Sequence, residues 1–254
     1  MKQPVFIGLD DTDILGGPFG TGRVARDLAE YLENSGMGHT IGVIRHQLLV
    51  DPRIQYTSHN SSKCIEFEAE VSLSKIHQAG MKYIKEHFQP GSDPGLCTCA
   101  SNQATRELIE YGKFAQKELI SKEQAIILSH RSGILLTELG GTGEGIIGAL
   151  ASVGLRAGGN SGRYVQLRGI KAIKGQVSVG EILKTTAIVA VIDEEGNPVN
   201  NTEIIDSHDW IKPNVINGKP VLRIRISKSG PTERIWETVE QKHKQKVEKE
   251  GVMP

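Results

Sequence analysis

The sequence predicts a mixed α/β (α+β) chain of two domains, and three observations predict it. Short apolar runs of strand length alternate with stretches of helical spacing along the chain, which is the pattern of mixed layers. Glycine is abundant, 29 of 254 residues, while aromatics are only 5%, which suits close backbone approaches and ligand-cradling turns. One dense block of turn residues, Pro90-Gly91-Ser92-Asp93-Pro94-Gly95, divides the chain and places the domain boundary there. The expected domains are residues 1–90 and 91–254.

Taken in order, Pro4 to Leu9 is an apolar run ending in a charged loop, and it reads as a buried strand. Val24, Ala25, Leu28, Ala29 and Leu32 lie at helical spacing within Gly22 to Ser35, and Gly36 closes the helix. His39 to Val50 and Ile65 to Val71 read as strands, joined by a polar connection from Asp51 to Lys63 long enough to be a functional loop. Leu73 to Phe88 is helical and stops ahead of the proline–glycine block. In the second half the expected elements are a strand from Leu96 to Ala100 and helices over Gln103 to Leu119 and Lys122 to Ser129. A strand from Ile134 to Leu139, a helix from Gly145 to Leu155, and strands over Tyr164 to Arg168, Thr186 to Asp193 and Pro220 to Ile226 follow. Thr232 to Glu250 is expected to form a charged terminal helix. No internal repeat or low-complexity tract interrupts this order.

Composition narrows the function classes. Lys+Arg and Asp+Glu are 30 each, so no basic excess supports a nucleic-acid partner, whose affinity comes largely from neutralised phosphates. Scarce aromatics argue against base stacking on single strands. The three cysteines, Cys64, Cys97 and Cys99, lack the spacing of a disulfide framework or a zinc site and read as buried strand residues of a cytoplasmic protein. No export signal or membrane-spanning apolar run is present in the pattern.

The acidic loop after the first strand carries the chemistry. Gly8-Leu9-Asp10-Asp11-Thr12-Asp13 sets three carboxylates, Asp10, Asp11 and Asp13, within four residues at a strand end. Such a cluster repels itself, and a divalent cation resolves the conflict; Mg²⁺ favours one or two carboxylates together with water and substrate phosphates. Downstream, Gly16-Gly17-Pro18-Phe19-Gly20-Thr21-Gly22-Arg23 opens into a helix, whose free amides and positive dipole end favour phosphate. Gly17, Gly20, Thr21 and Gly22 are therefore the candidate phosphate cradle. The spacing matches neither a Walker loop nor a kinase glycine loop, and an acidic turn before an ordinary capped helix is the plain alternative.

A second glycine-rich loop, Gly140-Gly141-Thr142-Gly143-Glu144-Gly145-Ile146-Ile147-Gly148, follows a strand and opens a helix. Three readings stand: a small-ligand site presented by Gly141, Gly143 and Gly145, close helix–sheet packing, or the dinucleotide-binding fingerprint of an NADP-dependent oxidoreductase. His59, His130 and Arg131 are expected in loops, either lining a cleft or solvated.

Gly8 to Asp13 resembles the G-I-D-D-T-D signature of the archaeal tRNA-isoleucine agmatinylcytidine synthetases. The resemblance continues through Leu48 to Ile54 with the polar loop His59-Asn60-Ser61-Ser62, through Asp93-Pro94-Gly95-Leu96, and through Gly143 to Ala151, in the same order over some three quarters of the chain. It implies an N-terminal kinase-like domain using ATP and Mg²⁺ and a following ferredoxin-like domain that binds a small second substrate across the interface. It also implies metal- and ATP-linked roles for Asp10, Asp11 and Asp13, and a phosphoryl-transfer role for Thr21, with Asp10, Asp11 and Thr21 as catalytic residues.

Two departures shape the expected activity. The nucleic-acid-binding and zinc-ribbon modules of that family are expected to be absent, since no zinc-finger cysteine pairs occur among Cys64, Cys97 and Cys99. Where the family has an Asp-His-Thr-Tyr-like segment, this chain reads Asn160-Ser161-Gly162-Arg163-Tyr164, which lacks the carboxylate that a guanidinium ligand calls for. The expectation is thus an ATP- and Mg²⁺-dependent phosphoryl- or nucleotidyl-transfer enzyme acting on a small molecule rather than tRNA. A non-catalytic ligand-binding or sensor protein on the same fold is the alternative.

Overall fold

The structure is a computed structural model, and it describes residues 2–54, 57, 59–208, 210–227 and 236–239. Its first elements are β1 (Gln3–Asp10), α1 (Thr21–Asn34), β2 (Gly38–Gln47), β3 (Ser61–Ala69), α2 (Leu73–His87) and β4 (Gly95–Ala100). Val5, Ile7 and Leu9 of β1 face α1 and α2, whereas Phe6 faces the opposite layer. A strand covered on both sides reads as a continuous apolar run, which is why β1 is legible without alternation. The apolar stripe of α1 buries Val24, Ala25, Leu28, Ala29 and Leu32 as its spacing predicts. Ser72 caps α2 by accepting from the Lys75 amide at 3.4 Å.

These strands pair antiparallel in the order β4-β1-β3-β2, which is the β-α-β-β-α-β arrangement of ferredoxin-like units. The sequence reading places a ferredoxin-like domain over 91–254; this order is found over residues 3–100. Hydropathy patterning yields elements but carries no strand order, and β1–β4 hydrogen bonds pass directly across the expected boundary near residue 90.

The second layer comprises α3 (Arg106–Phe114), α4 (Lys122–Ser132), β5 (Leu135–Glu138) and α5 (Gly145–Gly158), with β5 extending the sheet beside β4. Helix α3 is shorter than the expected Gln103–Leu119. A 3₁₀ turn occupies Ser101–Gln103, Thr105 caps the helix at the Leu108 amide, and turns take over after Phe114. Helix α4 carries a capping box, Ser121 with Gln124, and ends on left-handed Gly133. Cys64, Cys97 and Cys99 are fully buried in this layer, in line with the strand-residue reading.

The remaining elements are β6 (Arg163–Leu167), β7 (Gln176–Ser178), α6 (Val179–Thr185), β8 (Ala190–Ile192), β9 (Ile204–Asp206), β10 (Asn214–Ile216), β11 (Lys219–Ile226) and β12 (Trp236–Thr238). They gather around a second core containing Tyr164, Ile170, Ile182, Val191, Ile205 and Leu222, and β6 joins it to the first sheet through β2. The strand expected over Thr186–Asp193 is confined to Ala190–Ile192, behind a seven-residue helix too short to show a period. Within the helix expected over Thr232–Glu250, Trp236–Thr238 is instead a strand paired with β11 and β9, and the rest of that span lies outside the described residues. Among the described residues no helix is long and apolar enough to cross a membrane.

Candidate functional site

A cavity of about 780 Å³ opens at the C-terminal end of β1. Its walls include the acidic loop (Asp10, Asp11, Asp13), the start of α1 (Gly20, Thr21, Gly22), the β2–β3 connection with the start of β3, and the α4–α5 side with Thr142, Glu144, Gly145 and Gly148. The two glycine-rich loops, more than a hundred residues apart in sequence, are thus walls of one site. A size of this order suits a nucleotide-sized ligand.

The acidic loop is built under tension. Asp11 adopts a left-handed backbone conformation, φ 52°, which few residues other than Gly, Asn and Asp accept. Asp10 lies against the first turn of α5, where a Cβ on Gly148 would collide with Asp10 Oδ2. Burial pushes the Asp10 carboxyl up to about 6, opposed by attraction from Lys63. Burial first, then repulsion from Asp10, Asp93 and Asp13, pushes Asp11 up to about 7. Both shifts mean that the ionised loop lacks compensating charge.

Asp13 is engaged differently. Its Oδ1 accepts from the Thr21 amide at 2.8 Å and from Thr21 Oγ1 at 2.5 Å, while Oδ2 accepts from Thr57 Oγ1 at 3.0 Å. The N-cap of α1 is Gly20, which has no side chain to offer, so Asp13 caps the helix from the preceding loop. Thr12 adds two donors to Thr21 Oγ1, from its amide and hydroxyl at 3.2 Å each. The Thr21 hydroxyl is therefore held in one position at the cavity wall.

Three predicted glycines do not line the cavity. The place for a Cβ on Gly17 is taken by Gln89 Oε1, on Gly141 by Asp93 Oδ1, and on Gly143 by Glu138 Oε2. Gly141 and Gly143 also have positive φ, 58° and 80°. Close packing and, at Gly141 and Gly143, the left-handed backbone each call for glycine at these positions. Gly145 lines the cavity and also packs tightly, since a Cβ there would meet the Asp93 carbonyl and Gly95.

Sequence reasoning missed Lys63, Arg45, Asp93 and Thr57, all of which line the cavity. Lys63 is 6% exposed, and burial pulls its ammonium down to about 8 against attraction from Asp10. Asp93 accepts from the Thr142 amide at 2.6 Å and from the Thr142 hydroxyl, so it ties the proline–glycine turn to the second glycine loop. Lys63 was expected at the end of the polar connection from Asp51, whereas β3 begins at Ser61 and takes it into the sheet. Of the weaker candidates, His59 lines the cavity, whereas His130 and Arg131 lie in the last turn of α4.

The dinucleotide fingerprint fails on topology. It needs β5 and the strand after α5 to be parallel neighbours, but β4, β1, β3 and β2 stand between β5 and β6. No group of three or more His, Cys, Asp or Glu side chains among the described residues is arranged to hold a metal. The donor set fits a cation held by Asp10 and Asp11 and completed by phosphate oxygens, not a closed protein cage.

No family model and no curated protein matches the sequence. Solved structures do match. The complex of TiaS with an isoleucine tRNA and ATP is 26% identical over 60% of this chain and 36% of that chain, with a TM-score of 0.53. The complex of TiaS with the same tRNA, AMPCPP and agmatine is 25% identical over 59% and 36%, with a TM-score of 0.52. The apo structure of TiaS, the agmatidine synthetase of that tRNA, is 23% identical over 59% and 35%, with a TM-score of 0.50, a likeness of fold alone. This chain therefore spans little more than a third of the length of the structures it matches, and over about 60% of its own length it is similar to the tRNA agmatidine synthetase TiaS.

Proposed function

We propose that this chain is an ATP- and Mg²⁺-dependent phosphoryl- or nucleotidyl-transfer enzyme whose acceptor is a small molecule. One observation carries the reading: Asp10, Asp11 and Thr21 meet the start of α5 in one cavity, on a fold similar to structures solved with ATP or AMPCPP. Asp10 and Asp11 would hold Mg²⁺, and the ion would neutralise charge on the phosphates as the transferring group departs. Gly20 and Gly22 offer backbone amides at the α1 N-terminus to phosphate oxygens, while the Thr21 amide is held by Asp13. Asp13 orients Thr21 and caps α1, which leaves the cation to Asp10 and Asp11.

The acceptor would enter from the Glu144–Gly148 side, across the cavity from α1. Its oxygen or nitrogen forms the new bond to phosphorus while the P–O bond to the leaving ADP or pyrophosphate breaks. Chemistry of this kind is positioning plus charge neutralisation, and a cavity walled by both glycine-rich loops and lined by Lys63 and Arg45 suits both. Zero formal net charge supports a small acceptor over tRNA.

The test is calorimetric titration with ATP, with and without Mg²⁺, on the wild type and on Asp10→Asn/Asp11→Asn. Mg²⁺-dependent binding that disappears in the folded double variant is the expected result. A well-folded wild type that ignores ATP sinks the reading. Release of ADP or pyrophosphate is then followed with small acceptors and with tRNA in parallel; binding without turnover on any acceptor favours the sensor alternative.

A further inference from the structure

We propose that Lys63 and Arg45 form an anion subsite on the cavity floor that holds the terminal phosphate of the nucleotide and sets a preference for triphosphate over monophosphate. The proposal rests on the ATP reading above for the identity of the ligand, and on the sheet register for the site.

In the register of β3 and β2, Lys63 stands directly opposite Arg45, and in that of β2 and β6, Arg45 stands opposite Arg163. Cross-strand partners share a face of the sheet, so three cations form a row over three adjacent strands. Like charges placed directly opposite destabilise a sheet. The row continues the line of Val43 and Ile65, which face α1, and it ends where Lys63 and Arg45 enter the cavity.

The two cations are satisfied only by neutral groups. Lys63 Nζ donates to the Ser61 carbonyl at 2.8 Å and to Ser61 Oγ at 3.2 Å. Arg45 donates from Nε to the same Ser61 Oγ at 3.0 Å and from Nη2 to Gln47 Oε1 at 3.2 Å. Among the described residues no carboxylate is in ion-pair contact with either; Asp10 and Asp13 act on Lys63 only through space. Burying an ammonium without an anion is costly, and Lys63 is nearly inaccessible except through the cavity. An anion from that side resolves the conflict.

The position selects the anion. A Cβ on Gly22 would lie 3.4 Å from Lys63 Cε, so the lysine lies beside the first turn of α1, whose dipole end favours an anion. A group held there meets a point charge from Lys63, a planar fork from Arg45 and the α1 amides, a set that suits a phosphate bearing two negative charges. Asp10, which attracts Lys63 through space, would hold a cation close to the same phosphate. A base or ribose offers none of the charge this floor requires.

Calorimetry on the full chain with ATP and AMP in Mg²⁺, and with inorganic tripolyphosphate, tests the proposal on the wild type and on Lys63→Met. Methionine is similar in length and removes a buried charge, so the variant is expected to fold; Arg45→Gln is the second variant should it not. The expected result is a loss of ATP and tripolyphosphate affinity on the order of 10- to 100-fold, with AMP affinity held within about twofold. ATP binding by the wild type that Lys63→Met leaves unchanged, or weakens equally for AMP, overturns the subsite while the ATP reading stands. Wild type that ignores ATP but binds tripolyphosphate through Lys63 overturns the ATP reading and keeps the anion subsite. Wild type that binds neither overturns both.

Discussion

At the scale of the residue, the acidic loop is a place where burial of carboxyl groups opposes their ionisation. Asp10 and Asp11 both have carboxyls raised above the usual range, first by burial and then by repulsion, from Asp13 on Asp10 and from Asp10, Asp93 and Asp13 on Asp11. A raised folded-state pKa means the folded chain holds those protons more tightly than the unfolded chain. Their stabilising contribution is therefore fully present below about pH 4 and is lost as pH rises through about 6 to 7. Asn accepts the left-handed conformation of Asp11, so Asp11→Asn isolates the charge. We expect this variant, free of metal and nucleotide, to melt higher than wild type at pH 8 and equal to it near pH 4, by scanning calorimetry. Equal melting at pH 8 would count against the conflict. Two histidines act with the opposite sign. Burial pulls His77 down to about 4 between Thr98 and Thr137, and burial with nearby Arg156 and Lys63 pulls His46 to about 3. Their depressed values give stability present above about pH 6.5 that is lost as pH falls through 4 and 3. His77→Gln is expected to flatten the fall in urea-melt stability between pH 6.5 and 4; an unchanged slope would refute that assignment. Neither carboxylate's role depends on composition, and the D-D-T-D pattern made both legible. Lys63 was not legible, because its burial follows from the partner strand and α1 rather than from its neighbours in sequence.

At the scale of the element, α5 decides the shape of the site. It crosses the sheet face so closely that its backbone touches β1: a Cβ on Gly8 would collide with the Ala149 carbonyl and come within 2.6 Å of Ser152 Oγ and 2.9 Å of Val153. The Ser152 hydroxyl in turn donates to the Lys63 carbonyl at 3.0 Å, so the same contact sets the depth of β3 under the cavity. Gly8→Ala forces a backbone carbonyl aside, an overpacking expected to destabilise by about 1–3 kcal/mol. It should also weaken ATP binding through displacement of the loop that follows β1. A urea melt superimposable on wild type would show that the layer can give way. The second glycine loop shows how far motif reading reaches. Its G-x-G-x-x-G spacing announced a strand, a tight turn and a helix, and all three are present. Whether those glycines meet a ligand or another side chain was undetermined, because the same permissive residue serves both; Glu138 at the end of β5 and Asp93 from the proline–glycine turn occupy the space at Gly143 and Gly141.

At the scale of the whole molecule, one buried network spans the junction between the first sheet and the strands beyond it. Arg156 of α5 donates to Glu66 of β3 from Nη2 at 2.6 Å and from Nε at 3.2 Å, and also to the Gly218 carbonyl at 3.1 Å. Tyr164 of β6 donates to the same carboxylate at 3.2 Å, and the guanidinium stacks over Phe6 at 5.3 Å. The pair is largely enclosed, with side-chain exposures of 7% and 19%. Removing one partner leaves an uncompensated charge, so Arg156→Met is expected to cost about 3–5 kcal/mol in urea unfolding. Adding Glu66→Gln should recover part of that loss, and strictly additive losses would show that the two do not act as a pair.

By itself the sequence determined the helices α1, α2 and α5, the strands β1, β3, β4 and β11, and the candidacy of Asp10, Asp11, Asp13 and Thr21, because hydrophobic period, capping residues and a dense acidic motif are local properties. Only the tertiary structure decided that Asp13 caps α1 while Asp10 faces α5, that strands from both sides of the Pro90–Gly95 turn share one sheet, and that Lys63 and Arg45 lie on the cavity floor. Those outcomes depend on strand order and register, which arise from contacts between residues far apart in the chain and leave no periodic trace within any one segment.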